Sequence, residues 1–258
     1  MNYHSLIIRP PNYPFSECFV EVARAVDEAL NALGAYDPRG IPIVFGAHLE
    51  KRLPDKAIIY NTEQKFSWDY LQTLKKHRVW DYSGNNILKL AEAGVKAELC
   101  PVAYMPSMTV TLPDTNRLPI DVLMYGCRNE RRQHIYEQLN KAGINAYFCS
   151  DIWGAKRDAM IARAKIVLNV HFYEEAIFEI FRCAHLMANK KCIVSEIGKD
   201  KKLENPCHAC VVMSSYDHIV QQCQRVLALP EETREVIRNM GFETFSKTSM
   251  VDSLKDLI

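Results

Sequence analysis

Hydrophobic and polar positions alternate between two periods along the whole chain. Short apolar runs closed by glycine or asparagine are followed by segments with a helical repeat. HSLIIRP reads as a strand. SECFVEVARAVDEALNALG then places Phe19, Val22, Ala23, Val26, Ala29, Leu30 and Leu33 at helical spacing, with Ser16 as the expected N-cap and Gly34 as the stop. GIPIVFGAHL and KAIIYNTEQ predict two further strands, WDYLQTLKKH a helix, RVWDYS a strand, SGNNILKLAEAG a helix and AELCPVAY a strand. After a proline-bounded polar stretch, SMTVTLPDTNRLP, the alternation resumes. IDVLMYG is a strand that opens through Gly126 into the basic helix CRNERRQHIYEQLNKAG. Strands are also expected in IVLNVHF, KCIVSEI and PCHACVVMS, with FEIFRCAHLMANK as the helix between the first two and a helical tail broken near Pro230 and Gly241.

Strands alternating with helices of this length predict parallel sheets with right-handed crossovers. The fold class is therefore α/β, with two Rossmann-like doubly wound domains facing a central cleft. The expected boundaries are 1–106 for an N-terminal domain, 107–119 for a linker and 120–230 for a C-terminal domain. Residues 231–258 form C-terminal helices that pack back on the first domain. In open parallel sheets ligands bind past the C-terminal ends of the strands. The positions to weigh are thus His48, 61–64, 81–83, 126–132 and 169–173.

Charge narrows the picture. A formal net charge of +1 over 258 residues gives no global attraction to nucleic acid or anionic lipid, so anion binding must be local. No basic stripe with interleaved aromatics is present, and nucleic acid is not an expected partner. No apolar run approaches the roughly 20 residues that span a bilayer, and the N-terminus lacks a secretory pattern. A protein without a transmembrane segment, located in the cytoplasm, is the expectation. Nine scattered cysteines do not form a secreted disulfide framework. Cys207 and Cys210 have CxxC spacing without a second ligand pair, which reads as a loop entering a strand and not as a zinc site.

The local charge that stands out is Arg128, Arg131 and Arg132 in the first turn after Gly126. Basic residues at a helix N-terminus oppose its macrodipole, so helix stability does not account for them. An anion held by backbone N–H groups and fork-shaped donors would, and a solvated basic turn is the alternative. His171, just past an apolar strand, either bonds a phosphate or sugar or caps the next helix. For a proton acceptor, His48, Glu63 and Asp81 all follow strand ends, and the carboxylates could equally bond loop N–H groups. Gln64 and Trp80 are weaker candidates for substrate contact, Trp80 being a residue type more often found in cores. Glycine-rich dinucleotide and Walker A signatures are missing, which argues against nicotinamide oxidoreductases and NTPases.

The stretches YGCRNERR, RDAMIARAKIVLNVH and FEIFRCAHLMAN resemble the donor-binding domain of GT-B glycosyltransferases, close to bacterial family 1-like members. IIYNTEQ and VWDYSGNNI extend that likeness to the first half. The resemblance implies a nucleoside diphosphate sugar held by the C-terminal domain, with an unidentified acceptor on the N-terminal side and no metal or other cofactor. It implies that Gly126, Arg128, Asn129, Arg131 and Arg132 face the diphosphate, and that Glu179 and Arg182, one helical turn apart, contact ribose or sugar hydroxyls and phosphate. His171 joins the donor set. One departure stands out. The paired glutamates of many retaining members are missing, with His185 and Ile177 at the corresponding positions. This departure favours a noncatalytic nucleotide-sugar-binding subunit as the alternative, and an epimerase or hydrolase using the same cleft is a third reading.

Overall fold

The computed structural model describes residues 1–113 and 119–258 and divides into two compact units, Met1–Met108 with Thr248–Ile258, and Thr109–Lys247. The 114–118 part of the expected linker lies outside the described residues.

The first unit is a five-stranded parallel sheet in chain order. Its strands are β1 (Tyr3–Ile7), β2 (Ile41–Phe45), β3 (Ile58–Asn61), β4 (Arg78–Asp81) and β5 (Ala97–Leu99). The register is set by pairs such as Ser5 with Ile43, Ile59 with Val79, and Asp81 with Leu99. Helix α1 (Val20–Ala32) buries Val22, Ala23, Ala25, Val26, Ala29 and Leu30, the stripe its sequence period predicts. Its N-cap is Phe19, without a side-chain cap. Ser16 sits in a preceding 3-10 turn, Pro14–Phe19, and is buried there, which corrects the expected cap. Ser67 and Ser83 do cap, accepting from Tyr70 N and Asn86 N at 3.2 Å to start α2 (Trp68–Leu74) and α3 (Gly84–Glu92). Val44, Ile59, Leu74, Val79 and Leu90 form a core in which each buried aliphatic side chain contributes about 1.5–3 kcal/mol. Pro106–Met108 forms a 3-10 turn with Met108 fully buried.

The second unit carries β6 (Ile120–Tyr125), α4 (Glu130–Lys141), β7 (Ala146–Cys149), α5 (Gly154–Arg163) and β8 (Ala164–Asn169). There follow α6 (Ile180–Ala188), β9 (Ile193–Glu196), α7 (Lys201–Glu204), β10 (Val212–Ser214), α8 (Ile219–Leu227) and α9 (Glu231–Phe245). All pairs are parallel and the strand order is β10-β9-β8-β6-β7. The order reverses between β6 and β8, the doubly wound arrangement in which a crevice opens at the strand C-termini. Val122, Met124, Ile166, Leu168 and Val194 form the sheet's core with Ile135, Leu139 and Cys223 from the helices. The unit extends to Lys247 because α9 packs on α6. Helix α9 runs unbroken through Gly241, contrary to the break expected there. Gly241 is buried, and a Cβ there would meet Met187 Cγ and Cys210 Cβ at 3.8 Å, ordinary van der Waals contact, so the helix continues through it with room for a methyl group. The last helix, α10 (Met250–Leu254), belongs to the first unit, where Met250 N bonds Tyr104 O at 3.0 Å. Among the described residues no helix is long and apolar enough to cross a membrane.

Candidate functional site

Past the end of β6, beside β8 at the point where the strand order reverses, the chain makes a tight turn. Gly126 has φ +116°, which L side chains rarely adopt, and its N–H bonds Cys149 O at 2.9 Å. A Cβ there would lie 2.9 Å from Arg182 Nη2 and 3.6 Å from Arg132 Nη1, so the missing side chain lets guanidinium groups reach the turn. Asn129 is the N-cap of α4, accepting Arg132 N at 2.9 Å, while its amide donates to Phe172 O at 2.7 Å. In this structure Asn129 thus caps α4 and pins the loop at Phe172.

The arginines after the turn divide by environment. Arg132 is buried and donates to Val170 O (2.7 Å), Cys127 O (3.0 Å) and Glu179 Oε1 (2.7 Å). Arg131 forms a two-pronged pair with Glu196, donates to His171 O at 3.1 Å and lies 3.9 Å from the Tyr216 ring centre. Arg128 is exposed; it stacks 4.3 Å over the Phe148 ring, bonds Phe148 O and reaches Gln133 at 2.8 Å. Neither a solvated turn nor a set of fully open donors describes this cluster. Two of the three guanidinium groups turn inward onto protein carboxylates, which accounts for cations at a helix start.

Arg182, on α6, completes the set. Its Nη2 lies 3.0 Å from Glu179 Oε2, it donates to Tyr125 O, and it stacks 4.9 Å over the Tyr125 ring. Burial alone would raise the Glu179 carboxyl, but the guanidinium groups of Arg182 and Arg132 hold it well below the usual carboxylate range. Burial pulls the Arg132 guanidinium down, with Glu179 opposing. For Arg182 and Arg131, Glu179 and Glu196 outweigh the burial that would lower them. Glu179 is thus shared by two guanidinium groups, whereas Arg131 has Glu196 and, at longer range, Glu174. The His171 ring is wholly buried, 3.9 Å from Glu179 Oε1, and both of its nitrogens lack a hydrogen bond, as do Arg182 Nε and Asn169 Oδ1. Buried polar groups are nearly always bonded, so such a concentration marks a place for a polar ligand or water.

The remaining expected residues lie in the first unit. His48 follows Gly46 (φ +75°) in a 3-10 turn, and its Nδ1 is 3.2 Å from Glu63 Oε1, outside hydrogen-bond geometry. Burial lowers His48 to about 4 and raises Glu63. The Glu63 carbonyl accepts from Asn61 (2.9 Å) and Asn86 (3.1 Å), which sets where its side chain starts, and the Tyr70 ring stands 5.9 Å from that of His48. Asp81 is different. It is fully buried and accepts from Asn61 (2.6 Å), Ser83 N (2.8 Å) and Asn86 (3.3 Å), which fits the loop-holding alternative. Trp80 is fully buried in the core, a correction to its expected contact with substrate; Gln64 bonds Tyr82. The nine cysteines are free thiols, Cys207 and Cys210 among the buried ones, and among the described residues no group of three or more His, Cys, Asp or Glu could hold a metal ion.

Glu196 escaped the sequence, and so did the partners of His185. Glu196, at the end of β9, is 4% exposed and anchors Arg131; a strand-end rule applied to IVSE would have flagged it. His185, where many retaining members carry a glutamate, forms a buried network with Asp158 (3.0 Å) and Arg157 (3.1 Å) that ties α5 to α6.

No family profile matches the chain. It is 28% identical over 229 residues to uncharacterized protein R358 of Acanthamoeba polyphaga mimivirus, covering 81% of this chain and 77% of that one. It is 28% identical over 211 residues to L140 of the same virus, covering 76% and 69%. Among solved structures it is similar to WaaG, a glycosyltransferase involved in lipopolysaccharide biosynthesis, with TM-score 0.57, 11% identity and 99% and 98% of the two chains covered. The trehalose-6-phosphate synthase OtsA (TM-score 0.55, 10% identity, 94% and 75% covered) and the sucrose-phosphate synthase of Thermosynechococcus elongatus (0.54, 11%, 96% and 78%) are similar too. Two parallel five-stranded α/β units and these likenesses give one conclusion: the chain has the GT-B glycosyltransferase fold.

Proposed function

We propose that the protein is a glycosyltransferase that moves a sugar from a nucleoside diphosphate sugar to an acceptor. The second unit holds the donor, with the diphosphate at the Gly126 turn. The observation that carries this reading is one carboxylate, Glu179, shared by Arg132 and Arg182 beside buried, unbonded His171 and Arg182 nitrogens past the ends of β6 and β8. Arg182, Arg132 and the start of α4 stabilise the leaving diphosphate, the part a divalent ion plays in other transferases. Arg128, at the exposed rim, adds long-range attraction. Glu179 orients both guanidinium groups and meets ribose or sugar hydroxyls. The His48–Glu63 pair is the proton acceptor we favour, because its imidazole is neutral above about pH 4.

Thermal unfolding in the presence of UDP, GDP, CDP and ADP sugars tests this. A ligand at about 100 times its dissociation constant adds roughly 2.7 kcal/mol of stability. Stabilisation by one nucleotide class, with nucleoside diphosphate released only when an acceptor is added, supports the transferase. If no nucleoside diphosphate stabilises the protein, the reading fails. The His185 network at the glutamate position favours a second reading, a noncatalytic nucleotide-sugar-binding subunit. Stabilisation with no transfer to any acceptor would select it.

A further inference from the structure

Glu196 does three things with two oxygens. Its Oε2 accepts Arg131 Nη1 at 2.6 Å and the His171 backbone N–H at 3.0 Å, and its Oε1 accepts Arg131 Nη2. Arg131 in turn donates to the His171 carbonyl at 3.1 Å, so one ion pair grips both main-chain groups of His171. Tyr216 backs the grip, with its ring under the guanidinium and its hydroxyl donating to Arg131 O at 2.9 Å. A two-pronged guanidinium–carboxylate pair fixes direction as well as distance. The ring held by this clasp is the wholly buried His171 imidazole, whose Nδ1 lies 3.9 Å from Glu179 Oε1 and whose Nε2 has no hydrogen bond.

We propose that Glu196 is a positioning residue of the donor site: with Arg131 it clasps the His171 main chain and presents the imidazole to the bound donor. This rests on the donor-binding reading above. Arg131 is then part of the clasp and not itself a phosphate contact. The geometry joins the first turn of α4, the chain just past β8 and the end of β9, with Arg131 and Glu196 65 positions apart in sequence.

The test is a double-mutant cycle read by calorimetric binding of UDP and GDP at a temperature where every variant is folded. E196Q should weaken binding of the preferred nucleotide at least tenfold. E196Q/H171A should bind no more weakly than H171A alone, because the clasp acts through that ring. R131K, which keeps the charge but not the two-pronged pair, should behave like E196Q, and E196D should recover part of the loss. Additive effects of E196Q and H171A, or unchanged binding in folded E196Q and R131K, overturn the proposal. If the wild-type protein binds neither nucleotide nor any other nucleoside diphosphate, the donor reading itself has failed. The clasp is then judged on the free protein. A His171 ring resonance unmoved by E196Q overturns it, and a shifted one retains it as a structural device only.

Discussion

Arg132 donates to Glu179 at 2.7 Å across 47 residues of chain, and that bond fastens the first turn of α4 to the start of α6. Glu179 also faces Arg182 at 3.0 Å, so one carboxylate answers two guanidinium groups. Removing it leaves both in a largely buried place without a carboxylate to balance their charge. E179Q should therefore destabilise the protein by about 3–5 kcal/mol in urea unfolding. The pH dependence follows from the depressed carboxyl. Its contribution is complete above the ordinary glutamate range, about 4.3, and is lost as pH falls below it. The wild type should lose stability on acidification more steeply than E179Q. Parallel acid profiles would refute the assignment.

Gly126 tests the turn. Alanine there meets a positive φ and a contact of 2.9 Å with Arg182 Nη2, so either the backbone or the Arg182–Glu179 pair must shift. G126A should cost about 1–3 kcal/mol of stability and weaken nucleoside diphosphate binding by about tenfold. Calorimetric binding and urea titration on the same preparation separate the two. An alanine variant that binds as tightly as wild type would show that the turn does not approach the ligand.

The sequence made β6, the glycine turn and α4 legible because each signal is local: an apolar run, a residue free to take positive φ, and an asparagine cap. The same holds for α1, whose buried stripe has the helical period. The inward turn of Arg131 and Arg132 was not legible. Their partners, Glu196 and Glu179, reach them only because β8 and β9 lie on the far side of β6 from β7, and nothing within one segment encodes that order. Gly241 misled for a related reason. A glycine within a helical pattern signals a break locally, yet here the packing of α9 on α6 carries the helix through it. Trp80 carried no alternation that separates a core tryptophan from an exposed one.

Asp81 separates a structural carboxylate from a reacting one. It accepts from two side-chain amides and a loop N–H while fully buried, so D81A strands those donors. The expected loss is about 2–3 kcal/mol. Transfer activity per folded molecule should fall less than tenfold at temperatures below unfolding. A D81A protein as stable as wild type but inactive would instead make Asp81 the proton acceptor.

His48 provides the clearest titration. Burial lowers its imidazole to about 4 from an ordinary 6.5, so between those values the unfolded chain takes up a proton that the folded protein refuses. Stability due to this residue is complete above pH 6.5, declines as pH falls from about 6.5 to about 4, and levels off below. Glu63 works the other way: burial raises its carboxyl, so its contribution is present at low pH and is lost as pH rises through the raised value. Comparing wild type with H48N isolates the histidine, and the variant should lack the decline between pH 6.5 and 4. Nuclear magnetic resonance of the ring should show a midpoint near 4. Activity limited by a neutral imidazole would then persist through pH 6 without the fall that an ordinary histidine produces. A midpoint near 6.5 would mean that the ring is solvated and that Glu63, 3.2 Å away, does not share a water-poor site with it.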